Sequence, residues 1–434
     1  MKTNEFFSLT LYFIAFITSG VPVANAAPQL PRGSPPQPAT RQINVLDFGA
    51  NPADDDFDDT QALNTAIKSA TNYCTLYFPA GTYNVKWVAE LKHFDGLSLQ
   101  GDGADKSILK RMGPFWKLGA SQTWENLRAN YGTDAKLLRI EDCRNMAICD
   151  LGFDMNGTPT FGGVGIIRPR RLNITCTRVF DSREQPPLFG RDRFGWVILG
   201  FEQGSEDIWF TDNVVEGLQT ELDSTRRVLV ERNIFRRSVK SLGLGFLSGN
   251  FANPEKLADG YANTDITVRR NYFANSDNLS MGMLTFQLDP ANNCNSIFRN
   301  VDILENIFVY SINSSVGHPA IKLGAGDNSL QTHGNMFEGI RIEGNRIYRK
   351  PGLKSSDNYP AYIWFNCWEG TFRLHRTTIR GNRLYADDAT KPLVKIGRQE
   401  ESRELVVEAN TVHAYTEPPA AGEFLAEDRQ CYNK

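Results

Sequence analysis

Ile208-Trp-Phe-Thr-Asp-Asn213-Val, Val228-Leu-Val-Glu-Arg-Asn233-Ile-Phe, Ile266-Thr-Val-Arg-Arg-Asn271-Tyr-Phe and Val301-Asp-Ile-Leu-Glu-Asn306-Ile-Phe are four copies of one sentence. Ile340-Arg-Ile-Glu-Gly-Asn345-Arg-Ile, Thr378-Ile-Arg-Gly-Asn382-Arg-Leu and Leu405-Val-Val-Glu-Ala-Asn410-Thr-Val continue it. Each copy alternates β-branched residues, reaches an Asn and starts a second short strand. The asparagines recur every 20 to 39 residues, a period that marks a repeat architecture. A sharp bend between strands suits Asn, which tolerates the left-handed conformation, and its amide can bond to the equivalent Asn one coil on. A third strand precedes each copy, at Leu242 to Phe246, Met283 to Leu288, Ala320 to Leu323, Ala361 to Phe365 and Leu393 to Ile396. Three strands per coil give an all-β, right-handed parallel β-helix with a triangular section. Its coils bury their inner face only by stacking, so they form one cooperative domain. Looser coils at Leu137 to Asp154, Val164 to Asp181 and Gly195 to Gly217 extend the stack backwards, and Cys149 and Cys176 are expected there as stacked core residues.

Outward from the repeat, the chain is 434 residues long with an ordinary globular composition and a net charge of −3. That balance gives no bulk attraction for nucleic acid or an anionic membrane. The apolar run Phe6 to Ile17 and the small-residue site Ala24-Asn25-Ala26 have the layout of a secretory signal peptide. A secreted or periplasmic protein is expected, divided as signal 1–26, a Pro-rich linker without a core of its own at 27–42, a β-helix at 43–415 and a tail at 416–434. Seven Cys without C-x-x-C or Cys/His zinc spacing imply neither a structural metal cluster nor a disulfide scaffold.

Asp58-Asp59-Thr60 precedes apolar residues at 62, 63, 66, 67 and 70, the pattern of an amphipathic helix closing the N-terminal end of the stack. The acidic run from Asp54 to Asp59 is read as complementing that helix's dipole rather than as a calcium loop. Ile43-Asn-Val-Leu-Asp-Phe-Gly-Ala50, Asp58-Asp-Thr-Gln-Ala62, Tyr77-Phe-Pro-Ala-Gly-Thr-Tyr83 and Leu99-Gln-Gly-Asp-Gly103 resemble the N-terminal module of the pectate-lyase-like superfamily of right-handed β-helix proteins. The likeness implies glycan handling without choosing the reaction: carboxylate-assisted hydrolysis is the leading expectation, a lyase or uronan epimerase the alternative, and a non-catalytic glycan-binding β-helix protein the second alternative.

Outward positions of the strand before each Asn repeat are where a polymer would lie. They include Arg139, Glu141, Arg168, Arg170, Glu202, Glu221, Asp223, Gly243, Gly245, Thr285, Gln287, Asp289, Lys322, Trp364, Asn366, Lys395 and Arg398. Carboxylates cluster centrally, with cations at the flanks. Hydrolysis needs two carboxyl groups about 5 Å apart for retention or about 6.5–9.5 Å for inversion. Glu202, Asp223 and Asp289 are the candidates, and Gly243 and Gly245 leave room for a sugar ring. Elimination or epimerisation at a uronate needs a base for the C5 proton and a cation for the carboxylate. Lys322, His318 and His333 are the candidates there, with calcium entering only for a lyase; otherwise no cofactor is expected. Motif comparison leaves this choice open, since Gly317-His318-Pro319 with Ile321-Lys322 only partly echoes polygalacturonase-like hydrolases, and Gly152-Phe153-Asp154 lacks the His of uronan epimerases. Inserts at 248–264, 289–300 and 324–338 follow the same strand on three coils and would wall the site. Arg168, Glu221, Tyr261, Gln287, Asn293, Asp327, Trp364, Asn366, Lys395 and Arg398 are the expected substrate contacts. The expected partner is an acidic, uronate-containing polysaccharide.

Overall fold

The computed structural model describes residues 27–86, 90–112, 137–156, 160–182, 195–200, 205–236, 242–248, 262–274, 282–288, 297–311, 318–325, 335–353, 360–366, 371–387 and 391–426. Among them the strands form three parallel sheets of 12, 11 and 10 strands. Sheet A contains the first strand of every Asn repeat, such as Ser205–Thr211, Thr225–Glu231 and Ala262–Arg269. Sheet B contains the short strand after each Asn, such as Val214–Glu216 and Ile234–Arg236. Sheet C contains the third strand, including Gln219–Asp223, Leu242–Ser248, Gly282–Leu288, Ile321–Ala325 and Ile363–Asn366. The chain visits A, B and C in turn, so each sheet grows by one strand per coil and the parallel β-helix follows.

Alternation drives the packing, because successive strand residues point to opposite faces. Inward positions stack like on like: Phe235, Phe273 and Phe308 lie ring on ring at 4.9 and 4.8 Å, and Phe246 covers Phe286 at 4.8 Å. One continuous core runs from Val45 to Leu393. Helix α1 (Thr60–Ser69) adds Leu63, Ala66 and Ile67 to it. The Asp59 carboxylate accepts the backbone N–H groups of Asn51 and Asn84 at 2.7 and 2.9 Å, which explains that acidic residue structurally.

The Asn ladder forms with one change to its mechanism. Nδ2 of Asn213, Asn233, Asn271, Asn306, Asn345 and Asn382 each donates to Oδ1 of the next asparagine at 2.8–3.0 Å. The left-handed residue is not the Asn but its predecessor: Asp212, Arg232, Arg270, Glu305, Gly344, Gly381 and Ala409 have φ from 52° to 66°. Division of labour explains this. The preceding residue makes the turn, and the Asn is left free to point its amide inward along the stack.

Two other expectations are corrected. Cys149 is buried outside any disulfide and pairs in register with Thr175, so Cys176 does not stack on it. Cys176 instead occupies a left-handed turn with φ 55° and is disulfide-bonded. The Pro-rich segment is a strap rather than a free linker. It crosses the outer face of sheet A with Pro28, Pro31 and Pro36 buried. Gln29 N–H donates to Asp265, Arg32 N–H to Asp207, and the Asn173 amide to the Pro36 carbonyl. Asp207 also holds Arg227, a guanidinium only 2% exposed, through Nε at 2.6 Å.

Candidate functional site

Register fixes which residues share a row of sheet C. One row runs Arg139, Gly165, Ile198, Glu221, Gly245, Thr285, Lys322, Trp364, Lys395. The row two residues later holds Asp223, Leu247, Gln287, Gly324 and Asn366. Glu221, Asp223, Gln287, Lys322, Trp364, Asn366 and Lys395 therefore come to one face, as their spacing predicted.

Burial singles out the middle of that face. Outward positions of a one-layer wall ordinarily meet water, yet Glu221 is 8% exposed, Asp223 2%, Thr285 1%, Lys322 1% and Trp364 5%. This stretch is covered, and it holds two carboxylates and an ammonium, groups that are rarely buried without a partner. Ser224 Oγ donates to Asp223 Oδ1 at 2.8 Å. Lys322 Nζ stands 5.5 Å from the centre of the Trp364 ring, within cation–π range. Gly324 has φ 152°, a conformation open essentially to glycine, and a Cβ there would meet the Asn366 carbonyl at 1.6 Å. Its row position is thus kept bare by the backbone, next to Gln287 and Asn366.

Distances follow from the lattice of the solenoid. Coils repeat at about 4.8 Å, so Glu221 and Lys322, three coils apart, are separated by about 14 Å of backbone. Glu221 and Asp223 stand two residues apart on one strand, about 6.5–7 Å. Gly245 and Thr285 lie between the acidic and basic ends of the row and are themselves buried, so the room for a sugar ring expected above Gly243 and Gly245 is not open here.

The structure moves several expected residues off this face. His318 is 4% exposed and packs beside Tyr310, whose hydroxyl donates to the His318 carbonyl at 3.0 Å. Burial pushes its imidazole down to about 3, so it is neutral at ordinary pH and a poor proton acceptor. Its Gly-His-Pro context was legible, but not that the ring turns into the corner between sheets B and C. Arg168 sits in a left-handed turn after its strand, with φ 48°, and its guanidinium ties Glu141 and Asp142, each at 2.7 Å. Arg398 is exposed beyond the end of Val394–Ile396. Glu202, Asp289, His333, Tyr261, Asn293 and Asp327 lie outside the described residues. The inserts expected as walls all join sheet C to sheet A, and their centres likewise lie outside. Among the described residues no cluster of three or more His, Cys, Asp or Glu side chains could hold a metal ion.

Sequence reasoning placed Glu221 among substrate contacts and missed its pairing with Asp223. Gln219-Thr-Glu-Leu-Asp223 carried the signal, since i and i+2 on a strand share a face.

Comparison with solved structures agrees with this fold. An exopolygalacturonase from Thermotoga maritima matches with a TM-score of 0.51 and 14% identity, over 89% of this chain and 94% of its own. A family 28 exopolygalacturonase from Yersinia enterocolitica gives 0.44 at 14% identity over 88% and 79% of the two chains. The A-module of the mannuronan C-5 epimerase AlgE4 from Azotobacter vinelandii gives 0.37 at 17% identity over 85% and 99%. At these identities the first likeness speaks for the fold alone and the other two carry no argument. No curated protein matches the chain in sequence. Residues 42–283, more than half of the chain, match the profile described as rhamnogalacturonase A/epimerase, pectate lyase-like. The buried carboxylates and cation thus lie on the outer face of a β-helix that belongs to the rhamnogalacturonase A/epimerase, pectate-lyase-like family of carbohydrate-active proteins.

Proposed function

We propose that the protein is an exported enzyme that hydrolyses glycosidic bonds in an acidic polysaccharide, using Glu221 and Asp223 as its carboxyl pair. One observation carries the reading: two carboxylates face outward from one strand, about 6.5–7 Å apart along the backbone, and both are nearly buried. That spacing suits inversion, in which one carboxylic acid protonates the leaving oxygen while the other carboxylate takes a proton from the attacking water. The polymer runs along the coils. Lys395, exposed further along the same row, meets a uronate carboxylate. Glu202 and Asp289, just beyond the strands that carry these rows, remain further carboxylate candidates. The layout of residues 1–26 supports export.

A second reading, elimination, is favoured by Lys322 alone: a buried lysine on the outer face is a candidate base for the C5 proton, with calcium as a candidate partner for the carboxylate. Product chemistry separates the two. Digestion of polygalacturonate, rhamnogalacturonan and alginate should yield new reducing ends without the ultraviolet absorbance of an unsaturated uronate. Appearance of that absorbance in step with cleavage would replace hydrolysis with elimination.

A further inference from the structure

Seven ladder asparagines are each preceded by one left-handed residue, and these turn residues form a column along the corner between sheets A and B. In chain order the column reads Asp212, Arg232, Arg270, Glu305, Gly344, Gly381, Ala409. Four coils carry long or charged side chains there, and then two successive coils carry none. A Cβ added to Gly381 would meet nothing within 4 Å, and one added to Gly344 would meet only Glu305 Cγ, at 3.6 Å. The two glycines are the floor of a cavity of about 550 Å³.

Its walls come from three places. Arg270 and Glu305 close one end of the column. Arg346 and Arg383, each the residue directly after a ladder Asn, stand on adjacent coils in register. Helix α2 (Ala421–Ala426) lies across the outer face of sheet B and supplies Glu423 and Phe424. The Arg346 guanidinium lies 5.3 Å from the centre of the Phe424 ring, which also packs against Tyr272. The C-terminal segment therefore turns an open corner into a pocket.

We propose that this pocket binds one carboxylated sugar unit and anchors the polysaccharide at a second place, remote from sheet C; this rests on the reading of an acidic glycan as the partner. Three guanidiniums and two carboxylates leave one net positive charge, which matches one carboxylate and not a multiply charged phosphate. Guanidinium forks on adjacent coils suit a carboxylate. Glu305 and Glu423 accept hydrogen bonds from sugar hydroxyls, and the Phe424 ring gives the apolar face of a sugar a surface to lie on. The volume falls in the range of small-ligand pockets and fits one or two sugar units. In a triangular section the corner between A and B is opposite face C, so a chain held here leaves the groove free for the same or another polymer.

Affinity electrophoresis of the cleavage-deficient double variant E221Q/D223N in gels containing polygalacturonate tests this, with a neutral dextran gel as the control. Retardation in the uronan gel alone is expected, and adding R346A/R383A should weaken it at least tenfold. In the otherwise wild-type chain R346A/R383A should leave the rate of cleavage of short oligogalacturonates unchanged. Equal retardation with and without the two arginines overturns the pocket, and wild-type cleavage then leaves the groove reading standing. No retardation of E221Q/D223N overturns the pocket as well, while absence of wild-type cleavage separately removes the groove reading. If the double-arginine variant does not fold, R383E at an exposed position makes the same measurement.

Discussion

The corner that holds the asparagine ladder and the outer face of sheet C are built by the same coils, yet they obey opposite rules. At the corner the coils from Asn213 to Asn382 all do the same thing: one left-handed residue turns the chain, and one Asn donates to the next. On face C no two neighbours in the row repeat, and Glu221, Gly245, Thr285, Lys322 and Trp364 follow one another in register. A periodic solution satisfies each buried polar group with its own copy one coil away. An aperiodic row of buried charges does not arise from stacking alone, which is why chemistry is expected there and stability at the corner.

The sharpest way to break that contrast is to remove charge from the face without changing its shape. E221Q and D223N should each lower the cleavage rate by about 10²–10⁴-fold, the usual range for loss of a general acid or base. Thermal unfolding should move little, since each variant keeps the volume of the side chain it replaces. Full activity in both variants would leave face C with no distinction beyond its irregularity.

Periodicity also decides what was legible from sequence. Repeats at Asn213 to Asn410 announced the solenoid, the ladder and the order of the three sheets, because the Asn turn was written seven times and the third strand five times. Register then brought Asp223, Gln287, Lys322 and Trp364 to one face as read. What escaped was written once. The strap at 27–41 looked like a linker because its prolines have no partner in sequence, and only the sheet shows that Asp207 and Asp265 receive its N–H groups. His318 carried a suggestive tripeptide, but the direction of one ring at a corner depends on Tyr310 and not on any period.

Sheet A offers a control on the idea that buried charge means function. Arg227 is as buried as Asp223, and it bonds Asp207 at 2.6 and 2.9 Å and also Glu206. Asp207→Ala would strand that guanidinium and release Arg32 of the strap, and about 3–5 kcal/mol of stability should be lost. Urea unfolding measures this, with specific activity per folded molecule retained. Lost activity at unchanged stability would put a functional site on sheet A.

Within the ladder, Asn306→Ala removes the acceptor for both the backbone N–H and the side-chain amide of buried Asn271, each at 3.0 Å. Leaving those donors unsatisfied should cost about 2–3 kcal/mol. The same change at the terminal rung, Asn410, which is only part-buried against Asn382, should cost less. Equal losses at the two positions would mean that the rungs are not independent and that the ladder fails as one unit.

The smallest effect is the most specific, and it concerns the third corner. His318 titrates near 3 in the folded protein because burial disfavours its charged form, whereas an unfolded histidine titrates near 6.5. Its contribution is complete above pH 6.5. Below that the unfolded chain binds a proton that the folded chain refuses, so stability falls as pH drops from about 6.5 towards about 3. The slope approaches 1.4 kcal/mol per pH unit, or roughly 2 kcal/mol between pH 7 and 5. His318→Phe keeps the backbone carbonyl that accepts the Tyr310 hydroxyl and removes the titrating ring. Urea midpoints at pH 7, 6 and 5 should therefore fall steeply in the wild type and more gently in the variant. Parallel acid limbs would show that His318 gains a proton without unfolding the corner, and would bring it back as a group able to exchange protons with the groove.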